Sequence, residues 1–408
     1  MKRIVVLGGG FAGLWSAVGA ARKLDEHGVG PGEVRVTLVE RNDFHSIRVR
    51  NYEEDLAATL VPLDRVLDPV GVERVRGDVA AIDIGRRTVT VRTEAGREVL
   101  EYDRLVYALG SGLQRPPIPG LAGHAFDIDT YQEARRLDAH LRALAAGGDP
   151  DRLRVLVVGA GLTGIELASE LPARLAAMAA GTPGEARPRV ILADASPLIG
   201  PDMGDEARAV IVEALGELGV EMRTGISIVS VDGRGVTLAD GQRLEAPTVV
   251  WCGGMRANAL GAAIPGEKDR LGRLDVDEFM RVRGVAGVYA AGDAARAVLD
   301  GTHASVMSCQ HGRPMGRYAG HNVAADLIGQ PMLPLYIDWY VTVLDLGPWG
   351  AVYTGGWDRR VISTRDAAKT TKRTINGQRI YPPLSGDRAE ILAAAAPQVQ
   401  EPPEVRRL

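Results

Sequence analysis

Two stretches of the sequence have the glycine spacing of a dinucleotide-binding turn. Residues 4–13 read IVVLGGGFAG, and residues 155–170 read VLVVGAGLTGIELASE. The glycines of the two motifs are Gly8, Gly10 and Gly13, and Gly159, Gly161 and Gly164. An apolar run precedes each motif and a helix-forming stretch follows it. We therefore expect a buried strand that enters a tight turn, where the backbone approaches a pyrophosphate at a helix N-terminus. Two such turns indicate a protein that passes electrons between two dinucleotides.

An acidic residue ends the strand predicted after each motif. Glu40 closes VRVTLVE, and Asp194 follows the run RVILA. A carboxylate at this position accepts hydrogen bonds from ribose hydroxyls and repels a 2′-phosphate. The second site is therefore expected to favour NADH over NADPH.

Small residues end two further predicted strands. The run Ala108-Leu109-Gly110-Ser111 would let a strand terminus pass close to a cofactor. The segment GVYAAGDAA ends its strand at Gly292-Asp293. Two interpretations of Asp293 stay open, binding of a polyol and capping of a following helix.

A polar cluster lies between Arg41 and Leu67. It contains His45, Arg48, Arg50 and Tyr52. A solvated loop is the preferred interpretation of this segment, and direct contact with a substrate is the alternative.

The composition is typical of a globular protein with two or three domains. Of 408 residues, 46% are hydrophobic and 25% are charged, and the net charge is −4. A nucleic-acid partner is therefore not expected. Cys252 and Cys309 are too few for a disulfide framework or a zinc site, and we expect no metal cluster. Cys252 is interpreted as a core residue, and a redox role for Cys309 is the less favoured alternative.

The sequence also suggests where the protein works. A strand from Ile4 leaves no room for a signal peptide, and aspartates interrupt the apolar stretch at residues 336–357. We expect a cytoplasmic protein without a transmembrane span. Peripheral contact with a membrane and homodimerisation both stay open.

The order of these motifs resembles the two-dinucleotide-binding flavoproteins of the pyridine nucleotide-disulfide oxidoreductase superfamily. The resemblance covers roughly residues 1–325. The phrases VERNDFHS, GLTGIELASEL, TVVWCGGMRAN and VYAAGDAA look most like the type II NADH dehydrogenases. This likeness implies an NADH dehydrogenase that takes hydride from NADH to FAD and passes electrons to an acceptor, a quinone in that family.

The resemblance also implies the architecture. The fold would be α/β, with two Rossmann-like dinucleotide-binding domains and a smaller C-terminal α+β region. The FAD domain would comprise residues 1–112 and 256–325, the NAD(H) domain residues 113–255, and the C-terminal region residues 326–408. The helical stretch after Ser308 is expected to be interrupted at Pro314, and the helix after the second glycine turn to stop near Pro172.

The family pattern assigns site residues in this chain. Glu166 would lie near the nicotinamide, and Gln310 would face the acceptor, so these two are the candidate catalytic residues. The residues expected to bind cofactors are Gly8, Gly10, Phe11, Ala12, Gly13, Glu40, Arg41, Val79, Ala108, Gly110, Gly159, Gly161, Gly164, Asp194, Gly253, Gly292, Asp293 and Gln310.

The sequence departs from the family at the quinone site. The motif Ala-Gln-x-Ala-x-Gln becomes residues 309–314, CQHGRP, which keep only Gln310. No amphipathic membrane anchor is evident at the C-terminus. NADH oxidation is therefore better supported than quinone reduction. A soluble small-molecule or protein acceptor, and a flavin-dependent redox sensor with slow turnover, remain as alternatives. No C-x-x-C pair points to dithiol chemistry.

Overall fold

The structure is a computed structural model, and it describes residues 1–180 and 186–403. Residues 1–113 form β1 (Lys2–Leu7), α1 (Phe11–Glu26), β2 (Val34–Glu40), β3 (Phe44–Ser46), β4 (Leu60–Pro62), α2 (Asp64–Leu67), β5 (Glu73–Arg76), β6 (Asp78–Asp83), β7 (Thr88–Thr93), β8 (Gly96–Glu101), β9 (Arg104–Tyr107) and β10 (Ser111–Leu113). The next elements are α3 (Leu121–His124), β11 (Ala125–Phe126), α4 (Tyr131–Ala145), β12 (Arg154–Val158), α5 (Leu162–Ala180), β13 (Arg189–Ala193), α6 (Gly204–Glu217), β14 (Glu221–Arg223), β15 (Ile228–Asp232), β16 (Gly235–Leu238), β17 (Arg243–Glu245), β18 (Thr248–Trp251) and β19 (Met255–Ala257). The last are β20 (Leu274–Asp275), β21 (Val288–Ala290), β22 (Ala295–Arg296), α7 (Cys309–Leu327), β23 (Val341–Asp345), β24 (Ala351–Gly355), β25 (Arg360–Thr364), α8 (Arg365–Thr374) and α9 (Arg388–Ala394).

The first parallel sheet has the strand order β21-β9-β1-β2-β5. In its register Ile4 lies opposite Val36, and Val6 lies opposite Val106. The apolar runs of β1 and β9 are buried, as a parallel sheet covered on both faces requires. The sheet brings the carboxyl ends of β1, β9 and β21 to one edge.

A second parallel sheet repeats this plan with the order β11-β18-β12-β13-β14. Val155 lies opposite Val190, and Val157 lies opposite Val250. Each sheet is joined by an antiparallel meander, β6-β7-β8 in the first unit and β15-β16-β17 in the second. The predicted α/β fold with two Rossmann-like units is confirmed.

The chain passes between the two units through a two-stranded ribbon. Strands β10 and β19 pair antiparallel, with Gly112 opposite Arg256. The second sheet is therefore built from chain inserted between strands that belong to the first. The domain limits at residues 112 and 256 lie in this ribbon and stay a prediction.

Helices α1 and α7 pack against each other at very short range. A Cβ atom on Gly316 would lie 2.4 Å from the carbonyl oxygen of Ala12, and one on Gly320 would lie 2.2 Å from that of Ser16. Such contacts leave no room for side chains, so glycine is required at both positions. The packing fixes the start of α7 beside the start of α1.

The C-terminal region contacts both units. Leu344, Leu346 and Val352 belong to the same apolar core as α5, whereas Ile391 and Leu392 of α9 pack into the core that contains α1. Strands β23 and β24 flank the turn at Gly347-Pro348. Strand β25 and helix α8 were not predicted.

Two expected helix breaks are wrong. Helix α5 continues through Pro172, because burial of Leu171 and Leu175 and an ion pair from Arg174 to Asp138 hold its second half. Helix α7 likewise continues through Pro314, where its close packing on α1 outweighs one lost backbone hydrogen bond. The run GTPGEARP at residues 181–188 has the composition of a loop, and most of it, residues 181–185, lies outside the described residues.

None of the helices within residues 1–180 and 186–403 combines the length and the apolar composition that a bilayer crossing requires.

The α1–α7 contact can be tested by comparing two helical glycines. Gly316→Ala should lower the free energy of unfolding by about 1–3 kcal/mol, because the new methyl group overpacks a rigid backbone contact. Gly216→Ala in α6 is the matched control. Its Cβ would meet nothing within 4 Å, so helix propensity should stabilise the protein by about 0.5–1 kcal/mol. Urea unfolding of both variants measures the difference, and equal effects would refute the packing argument.

Candidate functional site

The first glycine turn joins β1 to α1 and depends on glycine at two positions. Gly8 has φ +99°, and a Cβ there would lie 2.5 Å from the carbonyl oxygen of Ala108. A Cβ on Gly13 would lie 1.7 Å from the carbonyl oxygen of Gly8. At Gly10 a Cβ would meet nothing within 4 Å, so the backbone there is open to a ligand.

The second turn, between β12 and α5, has the same geometry. Gly159 has φ +108°, and its Cβ would lie 2.9 Å from the backbone of Cys252. A Cβ on Gly164 would lie 1.8 Å from the carbonyl oxygen of Gly159, and at Gly161 it would meet nothing within 4 Å. The two turns are equivalent in structure as well as in sequence.

Each of the two predicted acidic residues, Glu40 and Asp194, accepts a hydrogen bond from the backbone of its own glycine turn. The backbone N–H of Gly9 donates to Glu40 Oε2 at 2.7 Å, and that of Ala160 donates to Asp194 Oδ2 at 2.5 Å. The remaining carboxylate oxygens accept from the N–H groups of Asn42 and Ser196, at 3.0 Å and 2.7 Å. Both carboxylates therefore lie beside the turn, where a ribose would be held.

The strand ends of the first sheet meet at one place. Gly110 has φ +67°, and Gly292 has φ +71° and approaches Ala12 so closely that a Cβ would lie 2.6 Å from the Ala12 Cβ. Asp293 lies in a short 3-10 turn, and its Oδ2 accepts from Ser111 Oγ at 2.6 Å. The helix-cap interpretation of Asp293 is wrong, because α7 begins only at residue 309.

Arg48 contacts the residues at these strand ends. Its Nη1 donates to the Ser111 carbonyl and hydroxyl oxygens, each at 3.2 Å, and lies 3.9 Å from Asp293 Oδ2. Its Nη2 pairs with Asp129. A cation and two carboxylates thus converge where β9 and β21 end.

The solvated-loop interpretation of residues 41–67 is wrong at several side chains. His45 is fully buried, and its Nδ1 lies 2.9 Å from the Gly9 carbonyl oxygen. Burial lowers the pKa of His45 to about 4, so the imidazole is neutral. Phe11, the first residue of α1, meets this ring edge to face at 5.0 Å. Tyr52 is also buried. His45 and Phe11 therefore support the first glycine turn, whereas Tyr52 packs in the core around α5.

Gln310 lies on the first turn of α7, where the Ser308 side chain caps the helix. The amide of Gln310 lies 3.5 Å from His311 Nε2. His311 Nδ1 accepts from the Val306 N–H at 3.0 Å, so its proton is on Nε2. Burial lowers the pKa of His311 to about 4. A neutral imidazole of fixed tautomer therefore lies beside the Gln310 amide nitrogen, and because both facing nitrogens are donors, the contact is not a hydrogen bond.

Glu166 forms a buried ion pair that the sequence did not predict. Its Oε1 accepts from Lys372 Nζ of α8 at 2.7 Å and from the Asp345 N–H at 3.1 Å. Burial raises the pKa of Glu166, and the charge of Lys372 opposes that shift. Burial disfavours charge on Lys372, but the attraction of Glu166 outweighs it and raises the lysine pKa. The pair fixes α8 on the first turns of α5.

A second ion pair continues this network. Lys369 Nζ lies 2.5 Å from Asp345 Oδ1, and the Tyr52 hydroxyl donates to Asp345 Oδ2 at 3.2 Å. Burial raises the pKa of Tyr52 well above its usual value, so it stays protonated. Residues from three distant parts of the chain are thus joined in one polar cluster around Glu166.

Three further candidates lie in different units, Arg41 and Val79 in the first and Gly253 after β18 of the second. Arg41 has a side chain 66% exposed and pairs with Asp78 at 3.8 Å. Val79 lies on β6, partly buried against the first core. A Cβ on Gly253 would lie 3.1 Å from the Trp251 ring. Their roles toward a cofactor stay predictions.

Burial makes both thiols poor nucleophiles. It raises the pKa of Cys252 to about 12 and raises that of Cys309 as well. A thiolate is the reactive form, so neither cysteine is set up for redox chemistry.

Sequence reasoning missed Lys369 and Lys372 because it did not recognise α8. Their spacing of three residues places both on one helix face, and a helix in RDAAKTTKRT would have been the signal. No local pattern indicates that these lysines meet Glu166, some 200 residues away in sequence.

The geometry fits a dinucleotide at each turn. The excluded Cβ positions, the open backbone at Gly10 and Gly161 and the adjacent carboxylates are the features that a pyrophosphate and a ribose require. Helix α1 has no side-chain cap at its N-terminus, so its first N–H groups are available to an anion. The segment that ends at Gly292 returns to the first sheet and completes the site at the first turn. The second turn lies in the unit that is inserted before this segment. Together the two turns define a two-dinucleotide flavoprotein fold.

The chain belongs to the pyridine nucleotide-disulphide oxidoreductase family, whose model matches residues 2–316. It is a flavoprotein oxidoreductase, as the motif order predicted.

Known relatives agree with this assignment. An NADH dehydrogenase-like protein of Mycobacterium tuberculosis (strain CDC 1551 / Oshkosh) is 57% identical over 404 residues, which are 99% of this chain and 100% of that protein. A type II NADH:quinone oxidoreductase of Staphylococcus saprophyticus is 29% identical over 399 residues, 90% of this chain and 96% of that protein. The structure of NDH2 from Plasmodium falciparum in complex with NADH shares the fold, with a TM-score of 0.75, 12% identity and coverage of 97% of both chains. The predicted likeness to type II NADH dehydrogenases is confirmed.

The Glu166–Lys372 pair gives a prediction about stability. Lys372→Met should lower the free energy of unfolding by about 3–5 kcal/mol near neutral pH, because it leaves Glu166 buried without its partner. The folded state then binds a proton on Glu166 at a higher pH than the unfolded chain does. The loss should therefore grow as pH rises through the raised pKa of Glu166 and shrink at lower pH.

The matched control is the double variant Glu166→Gln/Lys372→Met, which removes both charges and should recover most of the loss. Urea unfolding at about pH 6 and about pH 8 compares the three proteins. A single variant as stable as the wild type at both pH values would show that the pair does not hold α8 on α5.

Proposed function

We propose that the protein is an FAD-dependent oxidoreductase that takes hydride from NADH and passes the electrons to an acceptor, with a quinone as the preferred acceptor. The observation that carries this proposal is the repeated turn, with the same glycine contacts and the same carboxylate neighbour in each copy. The names of the relatives, NADH dehydrogenase-like and type II NADH:quinone oxidoreductase, support NADH and quinone as the substrates.

The two turns would have unequal tasks. The first, with Glu40, Gly110 and Asp293, would hold FAD, and the second, with Asp194, would hold NADH. When bound, FAD would supply the redox chemistry, since a flavin accepts a hydride and passes on its electrons. The chain's own residues have to position the two dinucleotides and keep water out.

Arg48 is suited to the flavin side of the site. Its guanidinium donates to Ser111 and lies 3.9 Å from Asp293, at the edge where the strands of the first sheet end. We infer that Asp293 binds the polyol chain of FAD and that Arg48 and Ser111 hold this carboxylate in place.

Glu166 is suited to the nicotinamide side. It lies in the first turns of α5, the helix that starts at the second glycine turn, and is buried with Lys372. We infer that this pair closes the nicotinamide side against water and fixes α8 as its cover.

Gln310 is the proposed residue on the acceptor side. The His311 imidazole beside it is neutral and adds no charge to this side of the site. Pro314 stands where the family motif has its second glutamine, so the contacts to a quinone would differ from the family's. A soluble acceptor is the alternative, and a redox sensor with slow turnover is the second.

One experiment separates these functions. The purified protein is mixed with NADH and a panel of quinones, soluble dyes and oxygen, and NADH consumption is followed at steady state. Turnover with quinones supports the proposal. Turnover with dyes but with no quinone, in detergent or in lipid, would favour a soluble acceptor. Reduction by NADH without turnover would favour the sensor.

The placement of Asp194 beside the second turn gives a prediction about cofactor preference. Asp194→Ala should raise the kcat/KM for NADPH relative to that for NADH by about 10-fold or more, because the repulsion of a 2′-phosphate is lost. Asp240→Ala, an exposed turn carboxylate of the same unit, is the control and should leave the ratio unchanged. An unchanged ratio in Asp194→Ala would remove Asp194 from the ribose site.

The placement of Gln310 on the acceptor side gives a prediction about the two half-reactions. Gln310→Ala should slow the reoxidation half-reaction by about 10-fold and leave reduction by NADH within about 2-fold of wild type, because the side chain lies on the acceptor side alone. Stopped-flow absorbance measures both half-reactions, with Gln242→Ala at an exposed turn as the control. Equal slowing of both halves would contradict this placement.

A further inference from the structure

A groove lies between α7 and the C-terminal tail, one helical turn beyond Gln310. It is lined by Trp15 of α1, by Arg313 and Arg317 of α7, by Arg379 and by residues 398–400. The two α7 arginines are four residues apart, so both side chains leave the same face of the helix. Their guanidinium carbons lie 5.8 Å and 4.5 Å from the centre of the Trp15 ring.

Arg313 and Arg317 are buried to an unusual degree for charged residues. Their exposed fractions are 7% and 5%. Within residues 1–180 and 186–403, no carboxylate forms an ion pair with either of them, and both Nε atoms are buried without a hydrogen-bond partner. Charged side chains are rarely buried to this extent without a counter-charge.

The contacts that the two guanidiniums do make are with neutral oxygens of the tail. Arg313 Nη1 donates to Gln400 Oε1 at 3.0 Å, and Arg317 Nη1 donates to the Gln398 carbonyl oxygen at 3.4 Å. These bonds satisfy two of the ten N–H groups of a pair of arginines. Glu390 also lines the groove, but its carboxylate accepts a hydrogen bond from Ser385.

The charges in the groove repel one another. Burial lowers the pKa of Arg313 to about 10, with a further contribution from Arg379. Burial and the charge of Arg313 lower the pKa of Arg317 to about 9. Both groups are still cations near neutral pH. The positive charges of Arg313, Arg317 and Arg379 therefore lie around one cavity, and the carboxylate that lines it, Glu390, is hydrogen-bonded to Ser385.

We propose that Arg313, Arg317 and Arg379 form a binding site for a phosphate group, distinct from the two dinucleotide turns and covered by residues 398–400. A phosphate offers several oxygens to the planar forks of neighbouring guanidiniums, and arginine is the side chain best matched to it. The Trp15 ring forms the floor that keeps the guanidiniums in place. The phosphate is that of a free ion or small ester, or that of a lipid headgroup.

The site is independent of the proposed redox reaction, and its test does not require turnover. Because the charge of Arg313 also acts on His45, which contacts Gly9 of the first turn, FAD content has to be measured in every arm. This readout separates a new site from one that serves the FAD pyrophosphate.

The first arm uses the wild-type holoprotein. Isothermal titration with inorganic phosphate at constant ionic strength, with chloride as the control anion, should show one saturable site and a rise in melting temperature that chloride does not give. The second arm is sedimentation with vesicles of phosphatidylglycerol or of phosphatidylcholine. Binding to the anionic vesicles without binding of free phosphate would identify the source as a lipid headgroup.

Variants locate the site. Arg317→Gln should weaken phosphate or anionic-vesicle binding by at least about 10-fold and leave FAD content unchanged. Arg317→Lys, which keeps the charge but loses the planar fork, should weaken it less and guards against a misfolded glutamine variant. Arg388→Gln is the matched control, an exposed arginine of α9 that pairs with Asp25. It should bind as wild type does.

Three results would overturn the proposal. The first is wild-type protein that binds neither phosphate nor anionic vesicles beyond the chloride and phosphatidylcholine controls. The second is an equal loss in Arg388→Gln, which would indicate a general charge effect. The third is release of FAD by phosphate, or loss of FAD in Arg317→Gln, which would assign the arginines to the FAD site.

Discussion

The structure depends on the contact between a glycine and a carbonyl oxygen inside each dinucleotide turn. The helix after each turn begins so close to the strand before it that a single Cβ would lie 1.7 Å or 1.8 Å from a backbone oxygen. Because of this short distance, the first turns of α1 and α5 lie beside the carboxyl ends of the parallel strands. The carboxylates of Glu40 and Asp194 then reach the turn backbone directly. Everything assigned to the cofactors is positioned relative to these two contacts.

The C-terminal region completes the site from outside the two units. Its strands pack on the core around α5, its helix α9 packs on the core around α1, and between them α8 brings Lys372 to Glu166. A buried ion pair is a costly way to attach a helix, since burial disfavours both charges. The pair holds α8 over the first turns of α5, the helix that starts at the second glycine turn.

The motifs that act over short distances could be predicted from the sequence. The glycine turns, the acidic strand ends and the strand that ends at Gly292 are local patterns, and the structure contains each of them as an element of the expected fold. The buried state of His45 and Tyr52 could not be predicted, because the polar composition of their segment is that of a solvated loop. The packing of β3 against the first turn buries His45, and packing in the core around α5 buries Tyr52 beside Asp345.

The prolines and the C-terminal lysines likewise could not be interpreted from local sequence patterns. Pro172 and Pro314 would end isolated helices, but tertiary packing outweighs one missing hydrogen bond. The pairing of Glu166 with Lys372 and the unpaired charges of Arg313 and Arg317 arise from chain segments far apart in sequence. A sequence pattern carries no information about which distant partner a side chain meets, or whether it meets one.

The central claim is that one chain holds FAD at its first turn and receives NADH at its second. Anaerobic titration of the purified protein with NADH, followed at the flavin absorption band, tests it most directly. The account predicts a yellow protein whose bound flavin is fully bleached by about one equivalent of NADH. A protein that carries no flavin, or a bound flavin that NADH leaves oxidised, would contradict it.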